Sequence, residues 1–485
     1  MPALPTHLTT PQCILHWINH TPDAIAVSEL GRSYTYRDLG GAIVRFTHAL
    51  RASSVGPGML VGIECTNRYL HLVIMLACRL VGATTVSLST TEVETDEVIL
   101  PRCEFLCVEH DLALPPRGLL ILTQETIDRI MSCPLPPTEL ALLGDDRGRP
   151  AEQRLVKTSG TTGRPKVMSM TDIVVHRVIA MELGNPDDPG FAWNYLCIYN
   201  FTFRGAQREV ELALRQCGTV VFTDVRSLFT EMARFDQFRV TLMPGDVTRL
   251  SDAIPPDWNK PRTGIMYVKG GPLPASIRAA LLSRVVTHLE HQYASNETHT
   301  LALIEADGTG VIHADATIRI VDDDGQEVPF GETGVIEART PWMVDRYLWD
   351  DEATALAFRD GWYQTNDVAR MVRSDALVLM GRADDMIILG GIKLAPQAIE
   401  SRIRDLDGIQ DAVLVSLPVA SGHERLVVVV ESVDPAIAEH AGPRVATILA
   451  AYVSGAVPIV RRTLPRTETG KVRRIDLRDA LVAGL

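Results

Sequence analysis

The chain lacks a long hydrophobic run, a basic block and a metal-binding cysteine pattern, and each absence excludes a class of function. Its most apolar early stretch, residues 70–81, contains Arg79 and is too short to span a bilayer. No membrane partner is expected. The opening residues Met1 to His7 have neither the basic nor the apolar region of a secretory signal. Lys and Arg number 47 against 60 Asp and Glu, and the net charge is −13. With no cluster of basic residues beyond a few, a nucleic-acid partner is excluded. The eight cysteines are scattered. Cys103 and Cys107 are the closest pair, and no second pair or histidine cluster completes a metal site. Reduced, mostly buried thiols fit a cytoplasmic protein. There is no internal repeat and no low-complexity segment.

What is present is the composition of an ordinary globular protein. The 485 residues are 46% hydrophobic and 22% charged, enough for two or more domains with ample core. Thr35 and Asp38 form a capping box that opens a helix with Leu39, Ile43, Phe46 and Leu50 on its apolar side. Residues 60–63 read as a strand. Leu70, Val73, Ile74, Ala77 and Val81 line one face of a second helix that Gly82 stops, and residues 84–88 follow as a strand. Strands alternating with helices imply a parallel sheet covered on both sides. The alternation recurs between 196 and 304, with strands at 219–222 and 240–243 and a helix at 275–284. After residue 310, short strands at 311–313, 317–321 and 334–338 read as a small antiparallel element. Residues 381–385 look like a boundary. Beyond them come a helix opened by Pro396 and strands at 412–417 and 426–431. The expected fold is α/β: a large domain of layered sheets over 1–381, then a small α+β domain over 382–485.

Residues 158–166 carry the strongest chemical signal. Thr158, Ser159, Gly160, Thr161, Thr162, Gly163 and Lys166 place four hydroxyls, two glycines and an ammonium within nine residues. Glycine frees backbone amides, hydroxyls donate to phosphate oxygens and lysine supplies countercharge, as a polyphosphate cradle requires. The spacing differs from the common nucleotide loop, and Pro165 argues against a helix starting on the phosphates.

This string resembles the phosphate loop of the acyl-adenylate-forming superfamily, which includes acyl-CoA synthetases, adenylation domains and firefly luciferase. Five further stretches resemble that family. Tyr293 to Glu297 resembles Tyr-Gly-x-Thr-Glu, with Ala294 for Gly and Asn296 for Thr. The resemblance implies that Tyr293 stacks on adenine, Asn296 reaches a phosphate and Glu297 holds Mg²⁺. Gly270 and Gly271, before Pro272 and Leu273, resemble the turn that lies by adenine and the acyl pocket. Trp362 to Asp367 resembles Trp-Tyr-x-Thr-Gly-Asp, with Asp367 accepting the ribose hydroxyls. Asn366 stands in the glycine position and tolerates a left-handed backbone.

Residues 381–396 resemble the hinge signature. Arg382 is implied to bind ribose or phosphate, Asp384 to be the hinge of a mobile lid, and Gly391 to line the thiol tunnel. Ile388 and Ala398 depart from the usual lysine and glutamate. Residues 464–471 resemble the terminal loop whose lysine, here Lys471, bridges the substrate carboxylate and the α-phosphate. Val167 departs from the usual glycine after the phosphate loop.

The resemblance implies an acid–thiol ligase that uses ATP, Mg²⁺ and coenzyme A, or a carrier-protein phosphopantetheine. Lys166, Glu297 and Lys471 are its expected catalytic residues. Asn200 and Phe201, with Gly270, are expected in the substrate pocket. Asn200 stands where amino-acid adenylation domains carry an aspartate for the substrate ammonium, and a neutral amide cannot pair with that charge. An aryl or other non-amino acid is therefore expected. No carrier segment flanks the chain, so any carrier is expected to be a separate protein. An amine acceptor giving an amide, and a non-catalytic nucleotide-binding relative, are the alternatives. Retention of every charged group with a named role argues against the second.

Overall fold

The computed structural model describes residues 8–112, 118–145, 152–158, 165–183, 193–385, 387–389, 392–394, 396–406, 408–418, 424–432, 435–450, 457–461, 463–466 and 472–482. Contacts divide the chain into two compact units. The first comprises Met1–Thr241, Arg262–Ile265 and Pro341–Phe358, and the second Leu242–Pro261, Met266–Thr340 and Arg359–Leu485.

The first unit holds two largely parallel sheets. One runs in the order Gly118–Ile121, Phe105–Val108, Leu60–Ile63, Thr84–Ser87, Glu152–Lys157, Val167–Thr171. Only its last pair is antiparallel, and that hairpin joins its strands through residues 158–166, the expected phosphate loop. The other runs Phe238–Leu242, Tyr195–Cys197, Val220–Phe222, Ile25–Glu29, Arg32–Thr35, again with only the last pair antiparallel. The capping box is present: the Asp38 amide donates to Thr35 Oγ1 at 3.1 Å, and the Thr35 amide donates to Asp38 Oδ2 at 2.9 Å. It starts the helix Tyr36–Ala52, whose Leu39, Ile43, Phe46 and Leu50 are fully buried. The helix Arg68–Val81 is buried on all sides, which explains its apolar run. Gly82 ends it with a left-handed φ of 81°. Among the described residues no helix is long and apolar enough to cross a membrane.

The second unit contains an antiparallel sheet larger than the element expected from sequence. Its order is Thr317–Val321, Thr333–Arg339, Trp362–Arg373, Ala376–Arg382, Thr309–Ile312, His299–Ile304, Val286–Ser295. The two strands 362–373 and 376–382 were not anticipated: interspersed polar residues break the alternation in the first, and the second is a short apolar run with no period-2 pattern. Further along, Asp411–Pro418, Glu424–Glu431 and Val457–Arg461 form a three-stranded sheet. Its faces alternate cleanly. Ala412, Leu414, Val428 and Val430 pack with Ile399, Ile403 and Val445 of two helices. Val413, Val415, Val427 and Val429 pack with Leu477 and Leu481 of the last helix.

Candidate active site

In the first unit, the hairpin closes the ends of the expected phosphate loop. The Thr158 amide donates to the Lys166 carbonyl at 2.8 Å. The Lys166 amide donates back to Thr158 Oγ1 at 3.2 Å. Ser159 to Arg164 lie outside the described residues. The Lys166 ammonium sits over the Tyr347 ring, 4.8 Å from its centroid. Leu348 anchors that contact by donating its amide to the Val167 carbonyl at 2.7 Å. Tyr347 was not anticipated from sequence, since it is remote from the loop in the chain and belongs to no local pattern. Val167, the departure after the lysine, is 2% exposed and part of the hydrophobic core, so the larger side chain is accommodated by packing. Before the loop, Lys157 pairs with Glu92 and with Asp96 at 3.1 Å, fixing the strand that leads into it.

Asn200 and Phe201 differ in their surroundings. Phe201 is 1% exposed, edge-on to Phe222 at 5.8 Å. Asn200 is exposed, and its Oδ1 accepts from the Thr202 amide at 3.2 Å and from the Thr202 hydroxyl. The amide therefore shapes the turn that precedes the helix Arg204–Arg215.

In the second unit, three of the expected nucleotide-binding residues meet. Tyr293, on the strand Val286–Ser295, donates its hydroxyl to Asp367 Oδ2 at 2.6 Å. Arg382, cross-strand from Asp367, places Nη1 at 3.6 Å from Oδ1. Burial, reinforced by the Asp367 charge, raises the Tyr293 phenol well above its ordinary value, so it stays a donor. Asn366 has a φ of 63°, the left-handed conformation expected where a glycine is usual. The Asp367 amide donates to Thr365 Oγ1 at 3.0 Å, and Thr365 in turn donates to the Ile336 carbonyl at 3.2 Å. The carboxylate is thus held on a rigid sheet rather than on a loop.

Gly270 has a φ of 89°, and a Cβ there would lie 2.6 Å from Met243 Cε. The Gly271 carbonyl accepts from His291 Nε2 at 2.8 Å. Burial lowers the His291 pKa, which favours the neutral ring. Ala294, the other departure, falls at a register shift between Tyr293 and Ala294, and Asn296 lies in the turn that follows. Glu297, on the same turn, is 6% exposed, and its amide donates to Ser295 Oγ at 3.1 Å. Among the described residues no cluster of three or more His, Cys, Asp or Glu could hold a metal. A single buried carboxylate fits a Mg²⁺ that takes its remaining ligands from phosphates and water, not from a protein cage. Asp384 lies in the short turn Ala383–Asp385. Gly391 and Lys471 fall outside the described residues.

The family model for the AMP-binding enzyme matches residues 14–97 and 155–348, more than half of the chain. The chain belongs to the AMP-binding enzyme family. Curated relatives of this AMP-binding enzyme include a feruloyl-CoA synthase of Amycolatopsis sp, 25% identical over 82% of the chain and 83% of the relative. A 3-hydroxybenzoate–CoA ligase of Aromatoleum sp. (strain CIB) is 26% identical over 95% of the chain and 94% of the relative. Among solved structures, ATP-bound MatB from Rhodopseudomonas palustris superposes with a TM-score of 0.79 at 21% identity, covering 98% of the chain and 99% of that structure. That likeness establishes the fold.

Proposed function

We propose that this AMP-binding enzyme activates an aryl or other non-amino carboxylic acid with ATP, forming acyl-AMP and pyrophosphate, and passes the acyl group to the thiol of coenzyme A. The observation that carries the reading is the meeting of Tyr293, Asp367 and Arg382 on one rigid sheet. The CoA-ligase names of relatives that span most of the chain support it.

A carboxylate is a poor electrophile, and adenylation makes its oxygen part of a good leaving group. In this reading Asp367 accepts the ribose hydroxyls, Tyr293 stacks on the base and Arg382 neutralises ribose or phosphate. Asn296 adds a phosphate contact. Residues 158–163 and Lys166 hold the departing pyrophosphate, and Tyr347 holds the Lys166 ammonium in place. Glu297 would hold Mg²⁺, which when bound neutralises phosphate charge. Lys471 stabilises the charge shared between carboxylate and α-phosphate. Residues 382–485 act as the lid, turning at Asp384 to withdraw Lys471 and open the Gly391 passage to the thiol. Gly270, Gly271, Asn200 and Phe201 border the acid.

Asp367→Asn removes the charged acceptor while keeping the shape. Hydrogen bonds to a charged group contribute about 1.5–3 kcal/mol, so ATP affinity should fall roughly 10-fold or more. Titration calorimetry with ATP checks this, and an unchanged Kd removes Asp367 from the ribose role. The acceptor is tested by supplying acid and ATP with coenzyme A, a phosphopantetheinylated carrier or an amine, and weighing the products. Acyl-CoA is expected. An amide or a loaded carrier with no acyl-CoA would replace the acceptor assignment.

A further inference from the structure

Open α/β sheets place their ligands at the carboxyl ends of parallel strands. The strands Thr84–Ser87 and Glu152–Lys157 lie side by side and parallel, with Thr85 opposite Arg154 and Val86 opposite Leu155. Their carboxyl ends therefore meet at one edge. Residues 158–166 leave from the second strand, and the turn that carries Glu92 and Asp96 leaves from the first. Lys157 is the last residue before the loop, and its side chain, 12% exposed, reaches across to that turn. Its ammonium pairs with Glu92 and, at 3.1 Å, with Asp96 Oδ2.

One ammonium thus meets two carboxylates, and each carboxylate is locked in place by its second oxygen. Glu92 Oε2 accepts from the Ser89 amide at 2.8 Å. Asp96 Oδ1 accepts from the Val98 and Ile99 amides at 2.9 and 2.6 Å. The turn is pinned again by Thr90, whose hydroxyl donates to Glu64 Oε1 at 2.9 Å. Burial opposes ionisation of Asp96, but the Ile99 amide and then Lys157 outweigh it and hold its pKa below the ordinary value. The reach of a lysine side chain and one peptide step keep both carboxylates within about 13 Å of the Thr158 Cα. That is on the order of the Debye length, about 10 Å at 0.1 M salt, so an anion held by the loop feels both charges.

We infer that Lys157 is a positioning residue that screens residues 158–166 from Glu92 and Asp96, and so sets their affinity for pyrophosphate. The inference rests on the reading of that loop as the pyrophosphate holder. Lys157 acts through its field and through the adjoining Thr158, because its ammonium is committed to the two carboxylates. The trio keeps one net negative charge, which favours departure of pyrophosphate once it is cleaved from ATP.

Titration calorimetry of the full chain with Mg²⁺-pyrophosphate, at low and at high salt, tests this. Lys157→Met keeps most of the stem and removes the charge, while the two carboxylates stay where the amides hold them. Its Kd should rise about 10-fold at low salt, and the deficit should shrink at high salt as screening grows. Adding Glu92→Gln and Asp96→Asn should return the Kd to within about 3-fold of the unaltered chain, since each amide keeps the oxygen that accepts from the backbone. Loss of packing alone would be neither screened by salt nor reversed by those two changes. An unchanged Kd in Lys157→Met, or a loss that the two amides do not reverse, overturns the inference while leaving the loop its role. Should Lys157→Met fail to fold, Glu92→Gln alone decides. It leaves Lys157 and Asp96 matched one to one, so binding about 3-fold tighter supports the inference, and equal or weaker binding overturns it. No pyrophosphate binding by the unaltered chain would instead overturn the reading of the loop itself, and the inference with it.

Discussion

Lys471→Ala is expected to lower acid-dependent adenylate formation by about 10²-fold or more, the scale seen when a donor to developing charge is removed. Carboxylate and α-phosphate repel each other as the new bond forms. An ammonium bridging the two stabilises the transition state more than either ground state, so kcat falls more than KM rises. The second half-reaction has no such charge to stabilise. The variant should therefore still convert supplied acyl-AMP and coenzyme A to thioester at close to the normal rate. Stopped assays of each half-reaction check the split. Equal loss in both, or in neither, would remove Lys471 from the adenylation step.

Glu211→Gln should be the most destabilising single change in the first unit. Glu211 is 3% exposed and receives Arg79, Thr10 and Gln207, tying together three helices. Removing one partner of a buried ion pair strands the other, at a cost of about 3–5 kcal/mol. The double variant Glu211→Met with Arg79→Met should recover part of that loss, because Arg79 is no longer stranded while Arg215 still loses its counter-charge. Urea unfolding checks both, and a Glu211→Gln midpoint equal to that of the unaltered chain would show the pair to be dispensable.

The same group sets an acid limit. Burial opposes ionisation of Glu211, but Arg79, then Arg215 and Thr10, outweigh it and bring the pKa from 4.5 to about 2. A depressed folded-state value adds stability that is complete above 4.5 and is lost as pH falls towards 2. Glu211→Gln should accordingly flatten the pH dependence of stability over that window.

Much of the fold is legible locally. The Thr35 capping box, the Gly82 stop and the apolar stripe of the first long helix are read within a few residues, because helix signals are short-range. Asn366 is legible for a related reason: few side chains accept its φ of 63°. The site is legible in parts. Motif order groups Tyr293, Asp367 and Arg382 as expected contacts of one nucleotide, but the bond between the Tyr293 hydroxyl and Asp367 depends on strand register across distant segments. Tyr347 beneath Lys166 is invisible in sequence because an aromatic residue carries no local mark of what it will face. Burial of charge is equally unmarked: Glu209, Glu211 and Arg215 of the charge-rich helix Arg204–Arg215 are all buried.

Acid-dependent exchange of labelled pyrophosphate into ATP, measured across a panel of aryl, fatty and amino acids, is the most direct test of the central claim. The account predicts exchange that requires Mg²⁺ and is strongest with an aryl or other non-amino acid. No exchange with any acid in the panel, from protein that binds ATP, would contradict it and leave a nucleotide-binding relative without ligase activity.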